Sequence, residues 1–159
     1  MHDHSPARRR ALKSSSAAAL LGALAAAGWF KPGTADAQSW NKNAFESHAL
    51  DDARKALGAE AAQSGDIAFV QTPEIAENGA VVPVGVASRI AGTDAIAILI
   101  EKNPNPLAAV FDIPPGTEPA ISTRVKMAQT SNVYALVRAQ GRYYVATKEI
   151  KVTLGGCGG

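Results

Sequence analysis

From Asp66 onward the hydrophobic pattern has a period of two, and this narrows the accessible folds more than any other feature of the sequence. In ISTRVKMA (121–128), Ile121, Thr123, Val125 and Met127 alternate with Ser122, Arg124, Lys126 and Ala128. EIKVTL (149–154) repeats the pattern, with Ile150, Val152 and Leu154 on one face and Glu149, Lys151 and Thr153 on the other. Successive side chains of an extended chain point to opposite sides, so such runs predict strands with one face on a core and one in water. AIAILI (95–100) is apolar without alternation and predicts a strand covered on both faces.

Turn chemistry separates these runs: Asn78-Gly79, Pro104 and Pro106, Pro114-Pro115-Gly116, and Gln140-Gly141. Asn-Gly is the strongest hairpin signal of the set, because both central residues of that turn need positive φ. Pro83, inside a strand pattern, predicts an edge strand or a bulge. About seven short strands at regular spacing predict a mainly β fold, an antiparallel β-sandwich of immunoglobulin-like arrangement with no disulfide across it. Before the strands, Phe45, Ala49, Leu50, Ala53 and Leu57 recur along NKNAFESHALDDARKALG (41–58) at helical spacing. An amphipathic helix of about four turns is expected, with Asn43 and Glu46 as an N-terminal cap pairing and Gly58 as the stop.

The first residues have a different composition. Arg8, Arg9, Arg10 and Lys13 precede a weakly apolar run from Ala17 to Ala27, the order of an export signal. Arg8-Arg9-Arg10-Ala11-Leu12-Lys13 resembles the twin-arginine pattern, with Ala11 where Phe is commoner. The run is short and alanine-rich against the ~20 residues of a membrane span. Ala35 and Ala37 place the expected cleavage between Ala37 and Gln38. The expected organisation is therefore a cleaved signal over 1–37, a helical segment over 38–65, a β-sandwich over 66–154 and a glycine-rich arm over 155–159.

Cleavage removes five of sixteen Lys and Arg and two of fourteen Asp and Glu, leaving 11 basic against 12 acidic residues, a net charge of −1. The basic character of the whole chain belongs to the signal. No run of like charge then remains to bind nucleic acid or an anionic membrane surface. Removing 37 residues from 159 leaves 122, enough to bury roughly two-thirds of the unfolded surface without covalent staples.

Catalytic chemistry is sparse. After cleavage His48 is the sole histidine, expected on the helix surface far in sequence from Cys157, so a thiol–imidazole pair is not expected. One Cys and one His fall short of a zinc site. Asp51 and Asp52 diverge on a helix and read as a solvated face. No glycine-rich phosphate loop opens a helix.

What remains is KVTLGGCGG (151–159), with the only cysteine of the chain among four glycines. Glycine lacks Cβ and visits both signs of φ, so Gly155, Gly156, Gly158 and Gly159 predict a thin, flexible arm that can enter a narrow channel. Cys157 can swing on the order of 10 Å from the last strand residue. No cation or helix N-terminus lies near it in sequence to lower its pKa, so activation would have to come from a partner. LGGC resembles a lipid-attachment sequence, which belongs at the other end of a chain, and prenylation needs the cysteine one position earlier. Three readings stay open on residues alone: a thiol that bears covalent cargo, a thiol that forms a disulfide with another chain, and an inert tail.

Gly155-Gly156-Cys157-Gly158-Gly159, together with PEIAENGAVVPV (73–84), EKNPNPLAAVF (101–111), ISTRVKMAQTS (121–131) and KEIKVTLGGCGG (148–159), resembles the SoxY family of sulfur-carrier subunits. The likeness covers most of the mature chain. It departs at Ala11 and in the helical segment before Asp66, which has no residue-by-residue match. The resemblance implies that Cys157 is the attachment point for thiosulfate-derived sulfur and that the chain holds no cofactor and performs no catalysis itself. It implies a periplasmic protein, soluble after signal cleavage, paired with a SoxZ-like β-sandwich subunit. It further implies a c-type cytochrome complex (SoxXA) that joins thiosulfate to the thiol, a hydrolase (SoxB) that releases sulfate and, in some systems, a molybdenum-haem sulfane dehydrogenase (SoxCD).

Overall fold

The computed structural model describes residues 41–60 and 62–153. The expected signal and cleavage site (Arg8, Arg9, Ala37, Gln38) and the tail from Leu154 to Gly159 lie outside the described residues. Among the described residues two helices, α1 (Lys42–Glu46) and α2 (Leu50–Leu57), come first. Nine strands follow: β1 (Gln63–Ser64), β2 (Ile67–Val70), β3 (Ile75–Ala76), β4 (Val82–Ser88), β5 (Thr93–Ile100), β6 (Leu107–Asp112), β7 (Ala120–Val125), β8 (Ser131–Ala139) and β9 (Arg142–Val152). Seven of these have four or more residues, while β1 and β3 are two-residue pairings. One sheet has the order β1-β9-β8-β5-β6 with β3 also on β9, and the other the order β2-β4-β7. The long strands pair antiparallel, and only β1 and β3 run parallel to β9.

The mainly β, immunoglobulin-like sandwich is therefore present, with helices as a third layer. Residues 95–100 are all buried because the larger sheet is covered twice. Ile96, Ile98 and Ile100 face the smaller sheet, packing with Val84, Val86, Val133 and Ile150. Ala97 and Leu99 face the helices, packing with Ala44, Ala53, Leu107 and Leu136. The alternation in 121–128 also holds, with Val125 and Met127 buried and Ser122, Arg124, Lys126 and Ala128 exposed.

Four local expectations are corrected. The single helix is two, broken at Ser47-His48-Ala49, where Ser47 turns extended (φ −62°, ψ 137°). Its hydroxyl donates to Asn43 O (2.7 Å), while Asn105 Nδ2 donates to Ser47 O (3.4 Å) and His48 Nδ1 lies 3.0 Å from Pro104 O. Local and long-range polar groups thus take over where the helical ladder would continue. Ala49 is exposed as a result, Ala44 takes the buried place, and His48 sits in the link.

The N-cap is Asn41 and not Asn43: Asn41 Oδ1 accepts from the Ala44 N–H (3.1 Å), and its amide donates to Ala56 O (2.7 Å), tying α1 to α2. Gly58 does stop α2, in the left-handed region at φ 75°.

Asn78-Gly79 is not a two-residue hairpin, because β3 intervenes between β2 and β4 and Gly79 is absent from the positive-φ glycines. Asn78 instead accepts from the Ala80 N–H (2.9 Å) in a side-chain turn. The tight hairpin is β8–β9, where Gln140 (φ 51°) and Gly141 (φ 73°) both adopt positive φ.

Pro83 is neither on an edge strand nor at a bulge, since β4 is the middle strand of its sheet. The Gly85 N–H points toward β2 and is taken by Thr72 Oγ1 (3.0 Å), so the Pro83 nitrogen, two residues earlier, points the same way. β2 ends opposite Gly85, and no ladder bond is lost. Lys148 of β9 then donates to Thr72 O (2.6 Å), joining the two sheets at this seam.

Because Leu99 is fully buried under the helices, Leu99→Ala should lower unfolding stability by about 2–5 kcal/mol. A urea titration followed by circular dichroism should show a lower midpoint at unchanged slope.

Candidate functional site

The residue that carries the sequence argument, Cys157, and its neighbours Gly155, Gly156, Gly158 and Gly159 lie outside the described residues. What the structure defines is the root from which they leave. β9 runs away from the Gln140-Gly141 hairpin with Arg142 opposite Ala139 and Ile150 opposite Ser131, where the β8 ladder ends. On its other edge, β3 holds the last turns of the strand: the Lys151 N–H donates to Glu74 O (2.9 Å) and the Thr153 N–H to Ala76 O (3.0 Å).

Thr130 holds the inner edge beyond the ladder. The Val152 N–H donates to Thr130 Oγ1 (3.0 Å), and the same hydroxyl lies 3.5 Å from Val152 O as donor. Gly79 closes the root from a third side, its carbonyl accepting from the Met127 N–H (2.7 Å). A Cβ on Gly79 would stand 2.5 Å from Met127 O and 2.9 Å from Val152 Cγ1, so in the turn that the Val81 N–H closes on Asn78 O (3.3 Å) this glycine is required for close approach and not for a positive φ. Thr130 carried no sequence signal, and Gly79 carried one for a different reason.

The displaced protonation equilibria lie elsewhere. The Tyr134 phenol, paired across the ladder with Thr147, is raised by burial first and the Glu101 charge second. The Arg138 guanidinium, paired with Tyr143 near the hairpin, is raised chiefly by its hydrogen bond to Asp94 (2.7 Å) against the opposing effect of burial. Neither group sits at the root. Among the described residues no group of three or more His, Cys, Asp or Glu is placed to hold a metal, and no helix is long and apolar enough to cross a membrane. A shallow depression of about 200 Å³ beside α2 is lined by Asp51, Arg54, Lys55 and Glu60. Asp51 and Asp52 are both exposed in the first turn of α2, the solvated face expected of them.

The sandwich holds its last strand through Val152 and Thr153, and the only cysteine of the sequence follows that strand. The family model for sulfur oxidation protein SoxY matches residues 53–157, a span that reaches Cys157, and the chain belongs to the SoxY family. It is 42% identical to the sulfur carrier protein SoxY from Chlorobium limicola f thiosulfatophilum over 66% of this chain and 96% of that one, with a TM-score of 0.57. A superoxide reductase (neelaredoxin) from Ignicoccus hospitalis is 22% identical over 62% of this chain and 87% of that one at a TM-score of 0.47, too distant to bear on function. No curated protein matches the chain.

Gly79→Ala should destabilise the fold by about 1–3 kcal/mol in chemical denaturation, since backbone stands where the new methyl must go. A neutral or stabilising result, as for a loop glycine relieved of unfolded-state entropy, would contradict the packing role.

Proposed function

We propose that this protein is a periplasmic sulfur carrier that bears thiosulfate-derived intermediates on Cys157 and presents them to separate enzymes. The observation that carries the proposal is membership of a sulfur-carrier family through a match that runs to Cys157, the only thiol in the chain. The anchored root supports it, because a tether transfers cargo reproducibly only when its base is fixed. Arg8 and Arg9 would direct export by the twin-arginine route, with cleavage between Ala37 and Gln38.

In the proposed cycle a c-type cytochrome complex (SoxXA) oxidises the thiol and thiosulfate together. A sulfur–sulfur bond forms to give the protein S-thiosulfonate, the thiol proton is released, and an electron pair passes to the haems. A hydrolase (SoxB) then adds water to the terminal sulfone and releases sulfate, leaving a persulfide on Cys157. A sulfane dehydrogenase (SoxCD), where the host has one, oxidises that persulfide. The chain would act as half of a heterodimer with a SoxZ-like sandwich, supplying position and the partners supplying catalysis. Glycine on both sides of Cys157 would keep the arm narrow enough for several different active sites.

Cys157→Ser should abolish thiosulfate-dependent cytochrome reduction by the reconstituted conjugating complex. Gly156→Val and Gly158→Val should leave the unfolding midpoint unchanged and slow loading by about tenfold or more, because a branched side chain both widens and misdirects the arm. Unchanged turnover of the valine variants with every partner enzyme would contradict the arm argument.

A further inference from the structure

The strand that leads to Cys157 keeps its grip for longer than its ladder does. β8 and β9 are joined by a two-residue hairpin, so Ala139 and Arg142 form a hydrogen-bonded pair, and alternate pairs down to Ser131 and Ile150 do the same. By this register the next such pair would be Gln129 with Val152. It does not form, because the chain before β8 is drawn away toward the loop after β5. Asn103 Nδ2 donates to Lys126 O (2.7 Å), the Ala128 N–H donates to Asn103 Oδ1 (3.1 Å), and the Lys102 N–H donates to Ser131 Oγ (3.0 Å). The Val152 N–H is left facing a gap where backbone should be, and Thr130 Oγ1 fills it at 3.0 Å. A side chain stands in for the missing rung.

Resting on the carrier reading above, we propose that Thr130 is a positioning residue for sulfur loading: its hydroxyl sets where β9 ends and the arm begins. With the hydroxyl present, β9 is held on both edges through Val152, by Thr130 on one side and by the Ala76 carbonyl bonded to the Thr153 N–H on the other. Without it, the inner edge is held only as far as Ile150. From Lys151 to Thr153 the strand is then held on the β3 edge alone, its end opens more readily, and the thiol samples a larger volume around each partner's active site. The effective concentration of a tethered group falls as its tether lengthens. Thr130 never touches the sulfur and acts through Val152 alone.

The test compares Thr130→Val, which keeps the shape and removes the hydroxyl, with Thr130→Ser, which restores it. Each is made in the full chain and assayed with its SoxZ-like partner. Native-state hydrogen exchange reads the clamp: in Thr130→Val the Val152 amide should exchange at least about tenfold faster, with the Ile150 amide unchanged as an internal control, and Thr130→Ser should return it to the wild-type rate. Thiosulfate conjugation by the c-type cytochrome complex reads the positioning: Thr130→Val should lower kcat several-fold with little change in KM, and Ser should rescue it. Reaction of Cys157 with a small disulfide reagent, which needs no positioning, should be the same in all three proteins.

Unchanged Val152 exchange, or equal acceleration at Ile150, would overturn the clamp. Faster Val152 exchange with undiminished conjugation would overturn the positioning role. The wild type separates this failure from that of the carrier reading: a wild-type chain that accepts no thiosulfate on Cys157 refutes both, whereas a normal wild type with an indifferent Thr130→Val refutes this inference alone.

Discussion

The structure depends on burying β5 from both sides. A strand such as Ala95–Ile100, with no polar residue on either face, is stable only inside a sheet covered twice. The smaller sheet covers one face through Val84 and Val86, and the helices cover the other through Ala44 and Ala53. This one requirement makes the fold three-layered and places α1 and α2 where they are. It also places β8, which pairs with β5, and β9, which pairs with β8 from Arg142 to Ile150. From the end of β9 the sequence continues to its only thiol.

Rigidity at the root and glycine beyond it are complementary demands. A carrier that serves several active sites needs a narrow tether, but a tether on a frayed strand would spread its cargo over space no single enzyme samples well. The root meets the demand with local devices: β3 on one edge, the Thr130 hydroxyl on the other, and Gly79 packed between Met127 and Val152. None of these is an acid, base or metal ligand; each acts on the backbone of β9 or its neighbours.

Much of the sandwich was legible in the sequence because period-two alternation reports directly on which face is buried. Residues 121–128 and 95–100 behave as their patterns predict, and Pro114-Pro115-Gly116 does form a turn, closed by the Thr117 N–H on Pro114 O (3.1 Å). The failures share one physical cause, namely dependence on contacts distant in sequence. The helix breaks because residues 56 and 58 positions away bind the linking segment. Pro83 lies in a central strand because a neighbouring strand stops short of it. Asn78-Gly79 does form a turn, but not the positive-φ hairpin, and its glycine is there for the backbone of Met127. Thr130 lies 22 positions from Val152, and no local pattern announces it. Cys157 and its glycines stand out in composition alone, while the anchoring of the end of β9 emerges only from the register of β8 and β9.

The most direct measurement is the intact mass of the mature protein taken from the periplasm of cells grown on thiosulfate, before and after a reductant, with the C-terminal peptide sequenced. The account predicts sulfur- or thiosulfate-sized adducts confined to Cys157 and removed by the reductant. A bare thiol, or a disulfide to another chain under every growth condition, would contradict it.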